Sequence, residues 1–161
     1  GDIASMKSDL NNLRGKLRTE MPVTRHMGIR VVRQQGGGVL LRAPLAANVN
    51  HKGTAFAGSL NATATLAGWC TVWLLLREHN IDGHCVIPDS SVRYARPVCS
   101  DFEARVEAPA EDVLTRFFHS IRRRGRGRIE LSVTVADRRG VAVHFRGRYV
   151  VGTDLGVARD T

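Results

Sequence analysis

Hydrophobic and polar positions follow two different periods along this chain, and one stretch between them carries no charge. Ile3, Met6, Leu10, Leu13 and Leu17 recur every three or four residues, with Lys7, Asp9, Arg14, Lys16 and Arg18 on the other faces. This predicts an amphipathic helix ended by Pro22. Met27, Ile29 and Val31 then alternate with Gly28, Arg30 and Val32, and Gly36-Gly37-Gly38 turns the chain into Val39 to Leu45, a predicted hairpin. From Ala55 to Leu76 there is no charged residue, in a chain of which 24% is charged. That run, inside a segment extending to His79, predicts a buried helix of roughly 35 Å.

Beyond it, Asn80 to His84 form a polar link, and Val86 to Tyr94 read as a strand interrupted near Pro88. Phe102, Ala104, Val106 and Ala108 alternate with Glu103, Arg105 and Glu107 until Pro109, a half-buried strand with a charged outer face. Val113, Leu114, Phe117, Phe118 and Ile121 have helical spacing, and Glu111 to Arg124 begins with acids and ends with arginines, as the helix dipole prefers. Ile129 to Val135 and Val141 to Val151 alternate on either side of Asp137-Arg138-Arg139-Gly140, a long antiparallel hairpin. The simplest assembly is α+β, with an antiparallel sheet wrapped round the one long uncharged helix.

The composition of that helix is uneven. Its first half is small and polar, through Ala57-Gly58-Ser59, Asn61, Thr63 and Thr65; its second half is bulky, with Trp69, Trp73 and Leu74-Leu75-Leu76. Thr54 is a candidate cap for its first turn. Unobstructed amides at Ala57, Gly58 and Ser59 would stabilise a carbonyl oxygen gaining negative charge. The run is long enough to cross a membrane, but its Thr, Asn and Ser residues and its flanking strands favour a core helix, so no membrane span is expected.

The length of 161 residues suits one domain. Residues 1–21 read as the N-terminal helix, with Gly1 to Ser5 resembling a cloning remnant, residues 22–155 as the globular domain and 156–161 as a tail. The net charge of +9 comes almost wholly from arginine, since lysine occurs only at Lys7, Lys16 and Lys52. Such a surface favours acidic partners. Cys70, Cys85 and Cys99 are odd in number and widely spaced, which suggests neither a disulfide framework nor a metal site and fits a reducing cytoplasm. Cys70 lies within the apolar run, an unfavourable place for a thiolate.

Asn48-Val49-Asn50-His51-Lys52-Gly53-Thr54-Ala55-Phe56-Ala57-Gly58-Ser59-Leu60, then Leu66-Ala67-Gly68-Trp69 and the segment Ser91 to Pro97, resemble the hotdog-fold thioesterase family that also forms the C-terminal domain of YiiD-type acetyltransferases. The resemblance covers roughly Pro22 to Val151. It implies the hotdog fold, a dimer or dimer of dimers with one continuous sheet, and sites shared between subunits. Asn50 matches a loop Asn, and Ala57-Gly58 match the helix start. Phe56 stands where relatives often carry His, and Thr65 stands near their helix carboxylate.

These residues together suggest an acyl thioesterase acting on an acyl-CoA or an acyl carrier protein, with coenzyme A as part of the substrate and no other cofactor or metal. The carbonyl would rest on Ala57 and Gly58; Asn50 would orient the water or the carbonyl, and His51 would take a proton. Thr54, Phe56, Ser59 and Asn61 would line the substrate, Thr65 could hold a water, and Asp89 is a reserve base. Within the run Arg122 to Arg128, Arg124 and Arg126 are candidates for coenzyme A phosphates or an acidic carrier. No nucleic-acid motif accompanies the arginines. Two alternatives remain: a hotdog domain that binds acyl-CoA or serves an acyltransferase without hydrolysing, and a hotdog dehydratase or hydratase built on His51 and Asp89.

Overall fold

A computed structural model describes residues 3–33 and 38–153. In chain order the elements are α1 (Ile3–Glu20), α2 (Val23–His26), β1 (Arg30–Arg33), β2 (Val39–Ala43), α3 (Ala57–Glu78), β3 (His84–Tyr94), β4 (Phe102–Val106), α4 (Glu111–Arg124), β5 (Arg126–Asp137) and β6 (Gly140–Gly152). The strands form one antiparallel six-stranded sheet in the order β1-β2-β4-β5-β6-β3. Both members of the Val39 hairpin are present, but its Gly36-Gly37 turn lies outside the described residues.

The period-two pattern decides which face of the sheet meets α3. On β6, Phe145, Gly147, Tyr149 and Val151 are buried, whereas Arg146 and Arg148 between them are exposed. The same alternation runs through β5, where Ile129, Leu131, Val133 and Val135 are buried. The Tyr149 hydroxyl donates to the backbone oxygen of Thr65 at 2.7 Å. Gly68 makes that approach possible, because a Cβ there would run into the Tyr149 ring. The small residues of the first half of α3 are thus read out as contact with the sheet.

The sheet covers only one side of α3. Leu60, Ala64, Ala67, Cys70 and Thr71 are buried, but Ala62 is exposed and Thr65, Trp69 and Trp73 are only partly covered. Complete burial of the uncharged run is therefore corrected to burial of one side. The uncovered stripe lies beside β3, to which Trp69 is tied by an Nε1 hydrogen bond to the backbone oxygen of Cys85 (3.3 Å). β3 is an edge strand whose outer side has no partner among the described residues.

The remaining elements hold the ends. Leu13 and Leu17 of α1 are buried, and Asp9 of α1 pairs with Arg77 near the end of α3 (3.0 Å). Ile3 and Met6, which share the same periodic face, are exposed. The four-residue α2 is too short for any periodicity to announce it. After β3, Arg96 grips the β5–β6 turn: its Nη1 and Nη2 donate to the two carboxylate oxygens of Asp137 at 3.1 and 2.8 Å.

Candidate active site

The start of α3 is fixed by the residues ahead of it. The buried amide of Asn48 donates to the backbone oxygens of Met27 and Pro44, both at 2.8 Å, and its own backbone oxygen accepts the Phe56 amide at 2.7 Å. The Ala55 amide donates to the Val98 backbone oxygen at 2.9 Å. Asn50 then closes the intervening loop. Its Nδ2 donates to Thr54 Oγ1 (2.9 Å) and to the Ala55 oxygen (3.4 Å), while its Oδ1 accepts the amides of Lys52 (2.9 Å) and Thr54 (3.1 Å). All of this is the behaviour of an asparagine that builds a turn.

Thr54 does not cap the helix. The cap position is Phe56, with extended backbone and no side-chain hydrogen bond, and the Thr54 hydroxyl is spent on Asn50. The amides of Ala57 and Gly58 therefore have no acceptor among the described residues, whereas the Ser59 amide donates to the Phe56 oxygen at 3.0 Å. Ala57 and Gly58 are exposed. The Phe56 ring, 57% accessible, folds back over Gly58, where an added Cβ would collide with it. Tyr94, the last residue of β3, donates its hydroxyl to the Ala57 oxygen at 3.2 Å. Tyr94 carried no sequence signal beyond its place at the end of a strand, and only the fold brings it to the helix start.

Asn61 and Thr65 follow Gly58 at helical spacing. Asn61 Oδ1 is buried and has no hydrogen-bond partner among the described residues, so an acceptor is left facing protein rather than water. Thr63, by contrast, is buried and returns its hydroxyl to the Ser59 oxygen at 2.7 Å. His51 is exposed at the tip of the loop.

Two of the sequence candidates lie away from the helix start of their own chain. Asp89 lies opposite Arg148 on the adjacent strand and pairs with it at 3.2 Å, on the sheet face away from α3. It cannot act as a base at the helix start of its own chain. The arginine run is also split and distant. Arg122, Arg123 and Arg124 end α4, while Arg126 and Arg128 belong to β5. The Phe118 ring of α4 stacks on His79 at 3.7 Å, beside the C-terminal end of α3. Arg124 and Arg126 therefore lie toward the C-terminal end of the 22-residue α3 rather than beside its first turn, since Arg126 and His84 both pair with Gly152.

Cys70 and Cys85 are not nucleophiles in this environment. Burial pushes the Cys85 thiol up to about 12, and Cys70, fully buried, is raised still further. Burial also raises Tyr149. Among the described residues no cluster of His, Cys, Asp and Glu is arranged to hold a metal ion.

The sequence from residue 10 to residue 153 matches the family described as Putative thioesterase (yiiD_Cterm). The chain belongs to this thioesterase family. A solved structure titled a putative thioesterase, from Shewanella oneidensis, is 34% identical, with a TM-score of 0.80 over 89% of this chain and 97% of that one. A protein of unknown function from Chlorobaculum tepidum is 30% identical, with a TM-score of 0.84 over 89% of this chain and 94% of the other. A Pseudomonas aeruginosa structure titled a probable thioesterase is 22% identical, with a TM-score of 0.75 over 88% and 94%, and shares the fold. The fold is the hotdog fold of this family.

Proposed function

We propose that this member of the thioesterase family hydrolyses acyl thioesters of coenzyme A or of an acyl carrier protein, as a dimer. The observation that carries the reading is the exposed pair of unpaired amides at Ala57 and Gly58, aimed outward from a 22-residue helix. They would hold the thioester oxygen as the carbonyl carbon becomes tetrahedral, at the positive end of the helix. Water attacks that carbon; the new C–O bond forms as its proton passes to His51, the C–S bond then breaks, and the thiolate takes the proton back. Asn50 acts as a positioning residue by shaping the loop that carries His51. The unpaired Oδ1 of Asn61 and the hydroxyl of Thr65 supply polar groups along the same stripe for the water.

A second copy would complete the site. The edge of β3, unpartnered among the described residues, the partly covered stripe of α3 and the exposed side chains of Phe56 and Tyr94 leave apolar surface in want of cover. Pairing β3 with its counterpart would bury all three and bring a second helix against the first.

One feature favours the rival reading of an acyl-binding domain without hydrolysis. No Asp or Glu occurs from Ala57 to Arg77, so α3 offers no carboxylate before Glu78 at its far end to share the work of a base. Thiol release from acyl-CoA esters ranging from acetyl to palmitoyl, run beside Asn50→Ala, separates the two. Release that peaks at one chain length and collapses in the variant supports hydrolysis. Tight acyl-CoA binding with no release establishes the binding domain.

A further inference from the structure

We infer that the cleft between α1, α2 and β1 is a binding site for a nucleotide bearing two or more phosphate groups. It lies at the opposite edge of the sheet from β3 and has a volume of about 470 Å³, the size range of small-molecule sites. Four arginines line it, Arg14 and Arg18 on α1, Arg25 on α2 and Arg30 at the start of β1. No Asp or Glu is among the lining residues.

What marks this cluster is that four arginines from three elements share one cleft with no acid in its lining. Several arginines elsewhere are ion-paired, as Arg42 is with Glu103, Arg77 with Asp9, Arg96 with Asp137, Arg146 with Glu130 and Arg148 with Asp89. Arg18, Arg25 and Arg30 have no ion pair or side-chain hydrogen bond among the described residues. Arg14 is held in place, with Nη2 and Nε donating to the Val31 backbone oxygen at 2.9 and 3.3 Å and Nη1 to Asn11 Oδ1 at 3.2 Å. It is a fixed cation that keeps its charge. Four like charges round one cleft repel one another until an anion enters, and arginine forks match phosphate oxygens. Leu17, Ile29 and Val32 give the cleft apolar walls suited to the flat face of a base.

The site does not depend on thioester hydrolysis. Closely spaced phosphates occur both in free nucleotides and at the nucleotide end of coenzyme A. Calorimetric titration of the full chain with ADP and with coenzyme A, at physiological salt, tests the proposal. One ADP per chain is expected, with binding at least about tenfold weaker in Arg18→Glu/Arg25→Glu and unchanged in Arg122→Glu/Arg123→Glu, which alters net charge equally on another element. Arg30→Gln, with a smaller change of charge, should weaken it in the same direction. Failure of ADP and coenzyme A to bind, or equal weakening by both double variants, would overturn the site. Competition between coenzyme A and ADP would identify the ligand as the nucleotide end of the thioester. Arg18→Glu/Arg25→Glu should then raise KM for acyl-CoA without altering kcat, and leave acyl-N-acetylcysteamine esters unaffected. Binding of ADP without competition would identify a free nucleotide.

Discussion

The Tyr149 hydroxyl of β6 donates to the backbone oxygen of Thr65 in α3 at 2.7 Å, and its ring occupies the space above Gly68. This one contact sets how closely the central helix lies on the sheet. Tyr149→Phe removes the donor and leaves the shape, so it should cost about 1 kcal/mol and lower the melting temperature by about 2–4 °C. Gly68→Ala forces helix and ring apart and should cost about 1–3 kcal/mol or more. Thermal unfolding of the two variants should rank them in that order; equal melting temperatures would show that the helix has room to move.

Asp137 makes the protein acid-sensitive. Its carboxyl is held well below the usual carboxylate range, first by the Arg96 hydrogen bond and then by the Cys99 and Arg139 amides, which together outweigh burial. A folded-state pKa below the unfolded value of about 3.9 gives stability that is present above about pH 4 and lost as pH falls further. Asp137→Asn removes that contribution at every pH. Denaturant midpoints of the parent and variant should therefore differ most near neutrality and converge in acid, where a constant difference would contradict the assignment.

Ala57→Pro isolates the proposed carbonyl site from the fold. The first helical position accepts proline because its amide has no intrahelical acceptor, and Phe56 already has the extended backbone (φ −62°, ψ 129°) that precedes proline. Stability should change by less than about 1 kcal/mol. Loss of one donor should lower kcat for thioester hydrolysis by about 10²–10³-fold. Unchanged turnover in a folded variant would move the carbonyl elsewhere.

The β3 edge should govern assembly. Val86→Lys/Ser91→Lys introduces charge on a strand whose outer side lacks a partner among the described residues. Sedimentation should show the parent as a dimer and the variant as a folded monomer with thioester hydrolysis reduced at least about tenfold, because its site has lost the second copy. A monomeric parent that is fully active would refute the shared site.

Much of this was written in the order of residues. The alternation in β5 and from Val143 to Val151 of β6, the Glu111–Arg124 helix and the charge-free run of α3 are local patterns, set by which side chains must leave water. The loop motif before α3 identified the family and the helix start from a dozen consecutive residues. What the sequence left open was everything that depends on distance across the chain. Tyr94 reaches Ala57 from 37 residues away; Asp89 turns from the helix because strand register places it opposite Arg148; and one apparent arginine run divides where a helix gives way to a strand. The arginine cleft likewise draws on three separate elements. Hydrophobic period specifies an element and its inward face, but charges and hydroxyls meet only after those faces pack, so their partners belong to the tertiary structure.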